Sequence, residues 1–153
     1  MMNAAQQPDK ALTRRLVSSL YVEAMLLSDE ARSYFDGYGR ADRAKMDAVE
    51  RIYLSCESLK VTTRLMHIIA WLLVQRGLLN GETPNAVPMR LGHADHSDPA
   101  GLIGLPAPAR ALIKSSLDLY RRVGLLDDDL HDAADVALAS PALALQHSLA
   151  AAF

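Results

Sequence analysis

Apolar residues recur at steps of three and four along most of the chain, the pattern of helices that each turn one stripe toward a core. Between residues 10 and 35 the stripe is Leu16, Leu20, Ala24, Leu27, Ala31 and Tyr34, and Gly37 and Gly39 mark its end. Asp9 stands where a side chain can accept from the free amides of the first turn. A second pattern begins near Ala41 and runs without Gly or Pro to Arg76, closing at about Leu79 with Gly81 as a left-handed cap. A helix over 41–79 is about 57 Å long. It carries two apolar seams. One is Val49, Ile52, Cys56, Leu59, Thr63, Met66, Ala70 and Leu73, a strict alternation of three and four; the other is Val61, Leu65, Ile68, Leu72 and Leu79, from the middle onward. One neighbouring helix cannot cover both, so a third helix or a second subunit must.

Residues 80–108 hold Pro84, Pro88, Pro99, Pro106 and Pro108 with Gly81, Gly92, Gly101 and Gly104, which breaks any long helix and leaves an extended connection. Its apolar members Val87, Met89, Leu91, Leu102, Ile103 and Leu105 lay parts of it on the body. A third helix over 107–125 follows, with Leu112, Ser116, Leu119, Val123 and Leu126 as its stripe, stopping at Gly124 or soon after. The tail is acidic, then Ala-rich and interrupted by Pro141, and is expected to be weakly ordered. The pattern therefore predicts an all-α fold: a three-helix bundle over residues 1–126 with a long central helix and a long Pro/Gly-rich loop before the third, and a tail over 127–153.

Composition agrees. Half of the residues are apolar and only 5% aromatic, which favours helices packed through aliphatic side chains over a sheet. A net charge of -2 and a pI near 6.2 supply no general field for nucleic acid or an anionic membrane. Five of the 18 acidic residues, and no Lys or Arg, lie beyond Leu126, so the first 126 residues carry 16 basic against 13 acidic groups. The opening MMNAAQQPDK lacks the layout of a signal peptide. The apolar run Ile68–Val74 is too short to span a bilayer. These features point to a cytoplasmic chain with no membrane insertion. The lone Cys56 sits among apolar positions and reads as a reduced, buried thiol.

Candidate chemistry is sparse. His93, Asp95, His96 and Asp98 bear metal-ligand groups at close spacing, but no HExxH or Cys quartet accompanies them. His67 reads as a hydrogen-bonded bundle histidine or an interface residue. Glu57 with Lys60, and Glu50 with Lys45 and Arg51, read as solvated surface pairs. Trp71, Met66 and Tyr53 fall at helical spacing and read as core or dimer contacts. Without a nucleophile elbow or a phosphate-cradling glycine loop, the residues point to no enzyme and no cofactor.

The stretch ESLKVTTRLMHIIAWLLVQRGLLNGE, Glu57 to Glu82, with its TTRLM, AWLL and QR runs, resembles the signature helix of the regulator of CtrA degradation family of alphaproteobacteria. Looser similarity covers the first helix, SYFDGYGR at Ser33–Arg40, and the LG and LP pairs before the third helix. The resemblance implies a three-helix, homodimeric, non-enzymatic adaptor that brings cell-cycle regulators to the ClpXP protease beside other protease adaptors, found at a cell pole. It directs attention to residues 80–108 and 127–153 for partner contact. The closing SLAAAF resembles the Ala-terminated tags that ClpX recognises but ends in Phe153, and a frayed Ala-rich end is the simpler account.

The leading expectation is thus a two-fold dimer joined through Val61, Leu65, Ile68 and Leu72, with Met89, Arg90, Leu91, Gly92, Leu102, Ile103 and Leu105 meeting cargo or partner adaptors. If those four face the third helix instead, a charge placed there should unfold the protomer. The alternatives are a scaffold dimer without a proteolytic role and a small metal-binding protein using His93, Asp95 and His96.

Overall fold

The computed structural model describes residues 10–82 and 89–150, and every regular element among them is helical. Helix α1, Lys10–Ser33, buries Thr13, Val17, Leu20, Ala24, Leu27 and Ala31. It closes through a π-turn at Tyr34–Tyr38, where the buried Tyr34 donates its hydroxyl to Asp42 at 3.0 Å. A Cβ at Gly39 would lie 2.5 Å from the Tyr34 carbonyl oxygen, so that position accepts only glycine. Helix α2 is one short turn, Arg40–Ala44, and α3 runs Ala48–Leu79.

The single helix expected over 41–79 is therefore divided. Asp47 accepts from the Glu50 amide at 2.8 Å while Glu50 accepts from the Asp47 amide at 3.0 Å. This reciprocal capping box starts a new helix, and the direction change lets Met46 reach the core. At the far end Gly81, at φ 71°, takes the left-handed cap that its position predicted.

Residue pairing fixes the directions. Arg14 of α1 donates to the Leu79 carbonyl at 2.8 Å and Arg76 stacks over Tyr21, whereas the C-terminal part of α1 lies beside residues 58–69, so α1 and α3 are antiparallel. Helix α5, Ala107–Ala139, is tied to α1 by the two-pronged Arg122–Glu23 pair, and Ser115 lies near Glu30, so these two are also antiparallel. Hence α3 and α5 run the same way, and the chain between them must travel back along the bundle. The short helix α4, Pro99–Leu102, is set on that return path and anchored by the buried Leu102.

The third helix does not stop near residue 125. It passes through Gly124 to Ala139, and α6, Pro141–Ala150, follows it. A helical glycine costs only about 1 kcal/mol, which the packing of Leu126 and Leu130 on the core and the buried Asp127 offset. The tail expected to be weakly ordered is thus helical through Ala150. The Asp9 cap, Val87 and Phe153 lie outside the described residues.

Asp47→Ala removes the α3 cap and should cost about 1 kcal/mol, lowering the melting temperature by about 3 °C in a chain of this size. Thermal circular dichroism measures it; an unchanged midpoint would show that the α2–α3 break does not depend on the box.

Candidate protein-interaction surface

Helix α3 presents three stripes, two of them packed against other parts of the chain and the third exposed. The first is the protomer core. Val61, Ile68 and Leu72 are 0% exposed and Leu65 is 4%, packed with α1 and α5 residues such as Ala24, Ile113 and Leu119. The four residues expected at a subunit contact are thus interior to one chain, because α1 and α5 both pack on that side of α3. A charge at Leu72 should therefore unfold the protomer rather than dissociate an assembly.

The second stripe, Tyr53, Glu57, Lys60, Arg64, His67 and Trp71, is mostly polar at steps of four and three. Against it lies the returning segment Met89–Asp98, an extended strap. Gly92 packs on the His67 ring so closely that a Cβ would stand 2.8 Å from His67 Cγ. Further along, the Arg64 guanidinium donates to the Asp95 carbonyl at 2.9 Å, the Ser97 hydroxyl at 2.5 Å and Ser116 of α5 at 3.1 Å. Ser97 in turn donates to Glu57 at 2.5 Å. Lys60 donates to the other Glu57 oxygen at 2.8 Å and to the His96 carbonyl at 3.2 Å. Tyr53 meets Gly101, where a Cβ would lie 2.2 Å from its hydroxyl.

Glu57 is therefore no solvated surface residue: both it and Arg64 are fully buried. Burial pushes the Arg64 guanidinium below its ordinary value, with Glu57 and Asp95 opposing the shift. The hydrogen bond to Glu57 holds the Lys60 ammonium above its ordinary value, against partial burial. Among the described residues Arg64 Nε and His67 Nδ1 have no hydrogen-bond partner, so the bonded role expected for His67 is not met at that nitrogen.

A second clasp holds the strap's start. The buried Asp127 accepts from the Trp71 indole at 2.9 Å and from the Leu91 amide at 3.1 Å, and pairs with Arg90 at 3.2 Å. Arg90 also reaches Asp128, and Tyr120 donates to the Gly92 carbonyl at 2.7 Å. Of the loop residues expected to meet partners, Met89, Arg90 and Ile103 are exposed and Leu91 and Gly92 are half-buried. Leu102 and Leu105 are buried, 3% and 4% exposed, and serve as anchors instead.

His93 and Asp95 stand 3.8 Å apart with exposed side chains, and His96 contributes its backbone carbonyl to the clasp. Among the described residues no three His, Cys, Asp or Glu side chains gather around a common point. The strap spreads the expected ligands apart because it is extended.

The third stripe is uncovered among the described residues. Val49, Ile52, Leu59, Met66 and Leu73 are 48–76% exposed, and Cys56, expected in the interior, is exposed among them. Beside this face a groove of about 500 Å³ lies between α1 and α3, lined by Ala31, Phe35, Leu59, Leu65, Met66 and Ile69 with Arg32 and Asp36 at its edge. No helix among the described residues is long and apolar enough to cross a membrane.

These features define an all-α protein whose central helix leaves one apolar face open. A family model described as protein of unknown function (DUF1465) matches residues 8–153, and the chain belongs to that family. Among solved structures, the crystal structure of RcdA from Caulobacter crescentus CB15 is similar, with 34% identity over 73% of this chain and 88% of that one and a TM-score of 0.61. The resemblance carried by Glu57–Glu82 is borne out by this match. A comparison with curated proteins found no match.

Removing Arg64 leaves the Asp95 carbonyl and the Ser97 and Ser116 hydroxyls without their donor. Arg64→Ala should cost about 1–3 kcal/mol for each acceptor left unpaired in the interior, and hydrogen exchange should accelerate at residues 91–98 before it does in α5; equal acceleration in both would refute the strap as a separate unit. Because the folded Lys60 value is raised, its contribution is complete below the ordinary lysine value and fades as the pH rises through the folded one. The melting-temperature gap between wild type and Lys60→Met should therefore close in alkali, and a constant gap would exclude that linkage.

Proposed function

We propose that the chain is a non-enzymatic, dimeric adaptor that binds regulatory proteins and helps deliver them to the ClpXP protease in cell-cycle control. The observation that carries this reading is kinship: 34% identity with RcdA over 73% of this chain and 88% of that one.

The surface is consistent with that role. Adaptors act by holding two proteins near one another, which requires separate contact areas and no reaction centre. Helix α3 offers its open apolar face, and the strap offers Met89 and Arg90 with Leu91 and Gly92 beside them, followed by Ile103 beyond α4. Fixing the strap through Glu57, Arg64 and Asp127 presents these residues in one arrangement, which lowers the ordering cost of binding. The open face of α3 suits a second copy of the chain, and the strap suits cargo or partner adaptors. The acting location is the cytoplasm, at a cell pole.

The half-lives of candidate regulators test the reading in cells with and without the gene. Loss of an adaptor should lengthen cargo lifetime several-fold, and a variant with Met89→Ala and Ile103→Ala, both exposed, should show the same defect while folding normally. Unchanged lifetimes in the deletion would leave a scaffold without a proteolytic role.

A further inference from the structure

The open stripe of α3 has an internal order that exposure alone does not require. Val49, Ile52, Cys56, Leu59, Thr63, Met66, Ala70 and Leu73 follow alternating steps of three and four without interruption. Each pair of steps spans seven residues, the repeat of helices wound about one another. All eight are uncharged. The positions that face water in an ordinary coiled coil are here the ones buried in the protomer, Leu54, Val61, Leu65, Ile68 and Leu72. The seam therefore points outward, with helix-pairing geometry and no helix among the described residues against it.

Side-chain size alternates along the seam as well. Val49, Cys56, Thr63 and Ala70 are the smaller members, and Ile52, Leu59, Met66 and Leu73 the larger. Two copies laid in the same direction and in register would set small against small and large against large. Reversing one copy about an axis level with Val61 sets Val49 against Leu73, Ile52 against Ala70, Cys56 against Met66 and Leu59 against Thr63. Every layer then holds one small and one large residue, so the layers have similar volume, as close packing requires. A sequence complementary to its own reversal about one point is what a two-fold contact needs; a helix of unrelated sequence places no such demand on it.

We propose that this face of α3 pairs antiparallel with α3 of a second copy, in the register that brings Cys56 of each chain opposite Met66 of the other. The inference rests on the dimeric part of the function proposed above and adds the surface, direction and register. Lys60, which flanks the middle of the seam, does not oppose the approach, since its ammonium is already paired with Glu57 at 2.8 Å. The groove beside Leu59 and Met66 makes the middle of the face concave, with space for the second copy's larger residues.

Cysteine cross-linking of the full-length protein tests the register, because Cys56 is the lone cysteine. In this arrangement the two Cys56 residues lie about 15 Å apart along the helices, beyond the span of a disulfide. Wild type should sediment as a dimer yet run as a monomer on a denaturing gel after mild oxidation or treatment with a short bismaleimide. Met66→Cys should convert most of the chain to a cross-linked dimer under the same conditions. Met66→Glu should sediment as a monomer with unchanged helical circular dichroism, since residue 66 is exposed. Efficient linking of wild type through Cys56 alone would establish a parallel pair, and a dimer that Met66→Cys fails to link would place the contact elsewhere; either overturns the register and leaves the adaptor role to the half-life measurement. A wild-type monomer at micromolar concentration would overturn the pairing together with the dimeric part of that role, and would assign the face to a helix of another protein.

Discussion

The arrangement of this protein turns on a carboxylate and a guanidinium held away from water on one side of its longest helix. Glu57 and Arg64 stand two turns apart on α3, and each needs more partners than the other provides. The strap supplies them: the Ser97 hydroxyl joins the two charges, and the Asp95 and His96 carbonyls accept from Arg64 and Lys60. Buried charges need such bonds to offset the loss of water. The strap is therefore fixed in place by the needs of α3, and α3 keeps its charges buried by means of the strap.

The topology explains why such a segment exists. Parallel neighbours in a bundle require a connection as long as the helix they flank, and a bare extended chain in that position would leave its own amides and carbonyls unpaired. Here the polar stripe of α3 accepts the task on one side, while Asp127 and Tyr120 of α5 accept it on the other. The return path thereby becomes part of the folded body.

Much of this was legible from residue spacing. The apolar stripe of α1 from Leu20 to Tyr34 is buried as its period implies, although Val17 replaces Leu16 in the interior. Both seams of α3 could be traced, but spacing alone does not say on which of them α1 and α5 pack, and only the fold places both helices on the Val61–Leu72 side. The capping box at Asp47 and Glu50 was present in the sequence as D-x-x-E, overshadowed by the lack of Gly or Pro nearby. Glu57, Lys60, Arg64 and His67 follow the helical repeat as closely as any apolar stripe. Polar residues at that spacing resemble a wet face unless a facing polar segment is known, and the fold alone reveals it.

One further consequence belongs to Trp71, the chain's single tryptophan. Its indole donates to the same Asp127 carboxylate that receives the strap's Leu91 amide. An indole that exchanges a buried anion for water changes its emission colour and intensity, so the molecule contains a native optical gauge of whether its returning segment is seated, readable without any attached dye.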